Sequence, residues 1–184
     1  VLENLRRQSA RIERPSLGPA AAGSRREVPW RLGCPGMDAL LPDGLETRSL
    51  HEIKSAPRGQ GASAGDWAAS LGFALRLAAL RLDGARRAGR PSYLLWCWTR
   101  PMAFELGRLS GRGLVQLGLD PARVLIVETA REAEALMALE EGMKSGALAL
   151  AMGVFQSAGL NAARRLSLAA GERQTPCLIV THPA

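Results

Sequence analysis

Histidine, lysine, cysteine and aromatic residues are all scarce in this 184-residue chain, and each scarcity removes a class of chemistry. The only histidines are His51 and His182, and the three cysteines, Cys34, Cys97 and Cys177, are far apart. With no C-x-x-C pair and no Cys/His cluster, a zinc site has no ligand set. No nucleophile, base and orienting partner fall into a hydrolase pattern. Cys97 and Cys177 lie in apolar runs, where a reduced cysteine behaves as a small core residue. No apolar run approaches the length of a membrane span. The start of the chain, with Glu3 and scattered arginines, has no signal-peptide core, so a cytoplasmic protein without membrane contact is expected. The start at Val1 and the strand-like end carry a further expectation, that terminal residues are missing.

What the chain does have is arginine. Among 24 Lys plus Arg only Lys54 and Lys144 are lysine, and the net charge is +7. A GC-rich genome explains that bias as well as a function does. The surplus permits contact with nucleic acid or an acidic partner, and it equally fits solvated surface arginines. A hydrophobic fraction of 47% is enough for one domain with a proper core.

Three parts follow from composition. Residues 1–14 read as a basic amphipathic helix, with Leu2, Leu5, Ala10 and Ile12 near one face and Arg6, Arg7, Arg11 and Arg14 largely elsewhere. Residues 15–29 read as a Pro/Gly/Ala linker. Residues 30–184 form the core. A helix ahead of a long linker has the form of a docking arm; the plainer reading is a helix that packs back on its own domain. Within the core, a short helix is expected over Met37–Leu41, and strands over Ser49–Ile53, Ser92–Thr99, Arg123–Glu128, Ala147–Phe155 and Pro176–Thr181. Helices are expected over Trp67–Leu82, Ala130–Met143 and Leu160–Ala170, with a further stretch, Pro101–Leu117, broken near Gly111 and Gly113. Asp83 to Pro91 reads as a basic connection. Strands alternating with helices predict an α/β fold: a mainly parallel, twisted sheet of about five strands with helices on both faces.

The segment between the first strand and its helix has the layout of a phosphate-binding loop. Pro57, Gly59, Gly61, Ala62, Ser63, Ala64 and Gly65 lead into Asp66-Trp67. A working loop reads G-x-x-x-x-G-K-[ST], with a lysine for the outer phosphates and a hydroxyl for Mg²⁺. Here Asp66 and Trp67 stand at those two positions, and Gln60 stands where the first glycine belongs. A carboxylate there repels a polyphosphate and an indole cannot ligate a metal. The loop is degenerate, and no cofactor is expected.

The order of segments resembles the RecA core and, more closely, the ImuA family of RecA-like accessory proteins. The residues that carry this are Gly33 with Met37 to Leu41, Leu50-His51-Glu52-Ile53, Arg58 to Asp66, Leu95-Trp96-Cys97, Gly118 to Arg123, and Ala135 to Gly142, with Arg164-Arg165-Leu166 also fitting. The resemblance implies a role in the SOS response to DNA damage, in translesion synthesis with an ImuB-type polymerase homologue, an error-prone polymerase and RecA. In RecA the N-terminal helix docks on a neighbouring protomer. Carried over, this makes Leu2, Leu5, Arg6, Arg7 and Ile12 the expected partner contacts, self-association included. Against the RecA pattern, the strand over Ala147–Gly153 has no Walker B acid, Thr99-Arg100-Pro101 offers no catalytic acid before Glu105, and His182 takes the place of a sensor glutamine. With the lysine and hydroxyl also gone, no ATP hydrolysis is expected.

The expectation is a non-catalytic adaptor. One alternative is a single-stranded-DNA-binding, recombinase-like protein that uses Arg86, Arg87, Arg90, Arg164 and Arg165 on phosphates. Another is a SulA-like inhibitor of cell division, from a family that is also RecA-like without a working loop. His51 reads as a structural, hydrogen-bonded histidine. Trp96 and Trp98 share one side of their strand, positioned either to stack on bases or, with more support from the surrounding leucines, to pack under a helix.

Overall fold

The computed structural model describes residues 29–54 and 64–181. The expected arm 1–14, linker residues 15–28, the glycine loop through Ser63, and His182 lie outside the described residues. So do the arm candidates Leu2, Leu5, Arg6, Arg7 and Ile12.

A short helix α1 (Pro35–Asp38) precedes strand β1 (Leu50–Lys54), helix α2 (Ala64–Arg87) and strand β2 (Tyr93–Thr99). Helices α3 (Arg100–Leu106) and α4 (Gly111–Gln116), then a 3₁₀ turn (Pro121–Arg123), lead to β3 (Val124–Thr129). Helix α5 (Glu132–Lys144), β4 (Leu148–Phe155), α6 (Leu160–Arg173) and β5 (Cys177–Thr181) complete the order. All pairings are parallel, in the spatial order β1-β5-β4-β2-β3. The expected α/β architecture and all five strands are present. No helix among the described residues is long and apolar enough to cross a membrane.

A strand buried on both faces sends alternate side chains to two cores. Leu94, Trp96 and Trp98 of β2 and Leu178 and Val180 of β5 meet α2, α3 and α4. Leu95 and Cys97, with Cys177 and Ile179, meet α5 and α6. In β4 the alternation slips once. Tyr93 pairs with Leu148 but Leu94 with Leu150, so Ala149 and Leu150 face the same side. Helix α2 lies over the sheet through Trp67, Ala74, Ala78, Leu82 and Ala85, whose mostly small side chains allow a close approach. Trp30, outside the strands, closes this core: its Nε1 donates to the Leu77 carbonyl at 2.9 Å, and its ring meets His51 edge-on at 5.5 Å. His51 is hydrogen-bonded to the Glu46 carbonyl at 2.7 Å.

Several boundaries differ from expectation, and at three of them the local chemistry gives the reason. Helix α2 does not stop at Leu82 before a loose connection; it runs on to Arg87. The cause is local: Asp83 pairs with Arg86 at 2.8 Å and with Arg87 at 2.6 Å, the i+3 and i+4 neighbours. Gly89, at a φ of 65°, then ends the turn. The break in the next helical stretch falls at residues 107–110 rather than at Gly111 and Gly113. Ser110 accepts from the Gly113 amide at 3.4 Å and so starts α4 at the glycine expected to interrupt it. The first short helix spans Pro35–Asp38 and not Met37–Leu41, because Pro35 suits a first helical turn.

Candidate functional site

Strands β4 and β2 are neighbours, yet β2 leads into α3 on the α2 face and β4 leads into α6 on the other. That divergence makes the carboxyl ends of these two strands a topological switch point, the place where α/β sheets generally bind their ligands. The polar groups at this edge hold the protein's own loops. Thr99 caps α3 by accepting from the Met102 amide at 3.4 Å. Gln156, just past β4, donates its amide to Glu132 at 2.8 Å and its side chain to Met102 Sδ at 3.4 Å. Glu128 at the end of β3 takes Arg108 at 3.1 Å. Glu52 on β1 accepts from the Thr181 hydroxyl at 2.6 Å and meets Lys54 at 3.4 Å. The last residue of β4 is Phe155, fully buried.

Of the segment expected to be a degenerate phosphate loop, Gly59 and Gly61 lie outside the described residues. Gly65 is exposed in the first turn of α2, where Asp66 places its charge at the favourable positive end of the helix dipole. Trp67 is buried against the sheet, so its indole belongs to the core.

The five arginines read as DNA contacts do not converge. Arg86 and Arg87 end α2, and both hold Asp83, whose carboxyl is drawn below its usual range first by the Arg86 hydrogen bond and then by Arg87. They line a groove of about 650 Å³ with Arg76 and Arg123. Arg90 turns into a separate, smaller pocket. Arg164 and Arg165 lie on α6, across the sheet, and Arg165 pairs with Glu140. Trp96 and Trp98 are buried and pack edge-to-face at 5.5 Å, out of reach of a base.

The residues that sequence reasoning missed are apolar and exposed. Phe104 on α3 is 93% exposed and Leu160, opening α6, is 85% exposed. They follow the ends of β2 and β4, the two neighbouring strands whose connections leave on opposite faces. The signal existed in Arg100–Leu106, where Met102, Ala103 and Leu106 mark the inner face and Phe104 the outer.

Two outcomes follow from the titrating groups. Hydrogen bonds from Lys144 first, and then from Arg165, hold the Glu140 carboxyl below its usual 4.5. A depressed folded-state value stabilises above the unfolded value and is lost as pH falls through the folded one. Glu140→Gln should therefore lower the melting temperature at neutral pH, and the gap to wild type should close as the pH is taken well below 4.5. A gap that stays constant with pH would refute the ion-pair account. Burial pushes the Cys97 thiol up to about 12 and raises that of Cys177 further, whereas Cys34 is exposed. Iodoacetamide should label Cys34 alone in the native protein and all three cysteines in denaturant, as counted by intact mass.

No described protein family matches the sequence, and no curated protein does. Among solved structures the fold is similar to that of SulA from Pseudomonas aeruginosa, at 20% identity and a TM-score of 0.51, over 72% of this chain and 96% of that one. The likeness establishes a shared α/β fold.

Proposed function

We propose that this chain is a non-catalytic, RecA-like adaptor of the SOS response, which helps assemble a translesion-synthesis complex around an ImuB-type polymerase homologue. Its partners in that complex would include an error-prone polymerase and RecA. The observation that carries this reading is the placement of Phe104 and Leu160. Large, exposed apolar side chains just past the carboxyl ends of β2 and β4 suit a protein partner better than a phosphate ligand. The ordered resemblance to the ImuA family supplies the partners, and the carboxylates at the edge that hold loop and strand donors support an adaptor without hydrolysis.

The test is a pull-down of the full chain against the polymerase homologue, the error-prone polymerase and RecA. The Phe104→Ala/Leu160→Ala variant should retain at least about tenfold less of its partner with an unchanged melting temperature, since both side chains face solvent. Retention of none of the three by the wild type would sink the adaptor. Tight Mg²⁺-dependent ATP binding would sink its non-catalytic half. Removing residues 1–26 in the same assay reports whether the arm contributes.

A second reading, compatible with the likeness to the P. aeruginosa SulA fold, is a SulA-like cell-division inhibitor. Binding to a tubulin-like division protein, without binding to the polymerase homologue, would select it.

A further inference from the structure

The groove that Arg76, Arg86, Arg87 and Arg123 line lies at the amino-terminal edge of the sheet, opposite Phe104 and Leu160. One wall is the carboxyl half of α2. The other is Ser92, just before β2, and the turn from Gly118 to Arg123, just before β3. Arg76, Leu80, Asp83 and Arg87 recur at the i, i+4, i+7 and i+11 spacing of a single helix stripe, so they run along the first wall. A neighbouring cavity of about 360 Å³ shares Leu80, Asp83 and Arg87 and adds Arg31, and the two form one trough. Its floor is apolar, because Ala79, Leu82 and Leu119 are buried beneath it.

The charges of the groove are partly matched. Asp83 holds Arg86 with Oδ1 and Arg87 with Oδ2. Asp120 accepts from the Ala122 amide at 3.0 Å with Oδ1 and meets Arg123 Nε at 3.6 Å with Oδ2. The Arg123 guanidinium also donates to the Ser92 hydroxyl. Arg76 is exposed and makes no ion pair or hydrogen bond among the described residues. Its Nη1 lies 3.8 Å from the point where a Cβ on Gly118 would stand, so it reaches across to the turn. Among the described residues of this groove, four arginines therefore face two aspartates, and both aspartates are already counted against their partners. The carboxyl end of α2 offsets about half a charge more. A positive surplus remains.

The lining decides which anion fits. A nucleic-acid strand is held by ring faces on which bases stack and by a path of cations along its phosphates. No aromatic side chain is among the described residues that line the groove, and Asp83 and Asp120 stand in the path. An acidic peptide suits the same lining: its amides can donate to the aspartates, and its aliphatic side chains match the leucine floor. Arg76 and Arg87 stand about 16 Å apart along α2, the reach of about five extended residues. Residues 1–28 of the chain do not have the required charge, since they carry six arginines against three glutamates.

We propose that this trough binds an extended acidic segment of a partner protein, in which carboxylate and aliphatic side chains alternate. Arg76 and Arg123 take carboxylates at one end, and Arg86 and Arg87 take them at the other. Exposed ion pairs such as those of Asp83 hold weakly, and each guanidinium has five N–H donors, enough for a second carboxylate. The inference goes beyond the adaptor reading. Its test uses none of the three named partners, and the pull-down variants lie at the opposite edge, so either can fail alone.

The experiment measures the full chain by fluorescence anisotropy with a labelled short peptide of alternating glutamate and leucine. The same peptide with glutamine in place of glutamate is the reference, and the glutamate peptide should bind more tightly. Arg76→Gln should weaken it about three- to fivefold and Arg76→Glu about tenfold or more, with melting temperatures unchanged because the side chain is exposed and unpaired among the described residues. Arg100→Gln, exposed at the opposite edge, should leave the affinity as it is. No preference for the glutamate peptide, or equal binding by wild type and Arg76→Glu, overturns the proposal. So does an oligothymidylate that binds more tightly than the peptide and is weakened by the same variants, which would assign the trough to a nucleic-acid backbone.

Discussion

Trp30→Ala is expected to lower the stability of the domain by about 3–5 kcal/mol, as truncations of large buried aromatics do. Trp30 belongs to no named strand or helix, and among the described residues an isolated bridge to Leu45 ties its backbone to the fold. Its side chain is nonetheless 2% exposed within the α2 core. It satisfies its own N–H on the Leu77 carbonyl, and it is the ring that His51 meets edge-on. Trp30→Phe separates the two contributions. It keeps most of the apolar area and loses a hydrogen bond worth about 1 kcal/mol along with some packing. Trp98→Phe is the informative control. The Trp98 N–H is buried without an acceptor among the described residues, so its removal offsets part of the lost ring volume. Urea unfolding midpoints should therefore rank Trp30→Ala well below Trp30→Phe, and Trp30→Phe below Trp98→Phe. A Trp30→Ala midpoint close to wild type would mean that residues 29–45 merely rest on α2.

The second large effect is expected at Gly153, in the strand at the centre of the sheet. A Cβ built there would lie 2.3 Å from Phe155 Cε2 and 2.8 Å from Leu139 Cδ1. Both side chains are themselves fully buried, so neither can swing into solvent. Gly153→Ala should cost about 1–3 kcal/mol through overpacking, and Gly153→Val should abolish the cooperative transition. Adding Phe155→Leu to Gly153→Ala should recover part of the loss, because the leucine vacates the ring volume that the new methyl needs. A double variant no better than Gly153→Ala would place the strain in the backbone instead. Circular dichroism melts of the three proteins decide the matter.

The fold was more legible than the site, for a physical reason. Continuous apolar runs such as Leu94 to Trp98 and Leu148 to Phe155 have few alternatives to a strand buried on both faces. Boundaries were less legible where short-range contacts set them. The Asp83 pairs carry α2 into its basic end, and Ser110 turns a supposed breaker into a helix start. The arginines were legible as residues but not as a patch. Arg86 and Arg164 belong to helices on opposite faces, and that separation comes from the crossover order of the strands, which no local pattern encodes. Arg81 was invisible for the converse reason. In a run of leucines and alanines it looks like one more charge on a solvated helix, and only the start of β4 beneath it makes it a buried donor.

The pairing of β1 with β5 sets a clock for folding during synthesis. Glu52 on β1 waits for Thr181, 129 residues downstream. At roughly 5–20 residues per second, the first strand emerges about 6–26 s before the partner that will hold it. For that interval its hydrogen-bonding edge is open while β2, β3 and β4, whose pairings are closer in sequence, can already assemble. Glu52 and Lys54 put two ionic side chains into this five-residue strand, which guards it against pairing with the same strand of a neighbouring nascent chain.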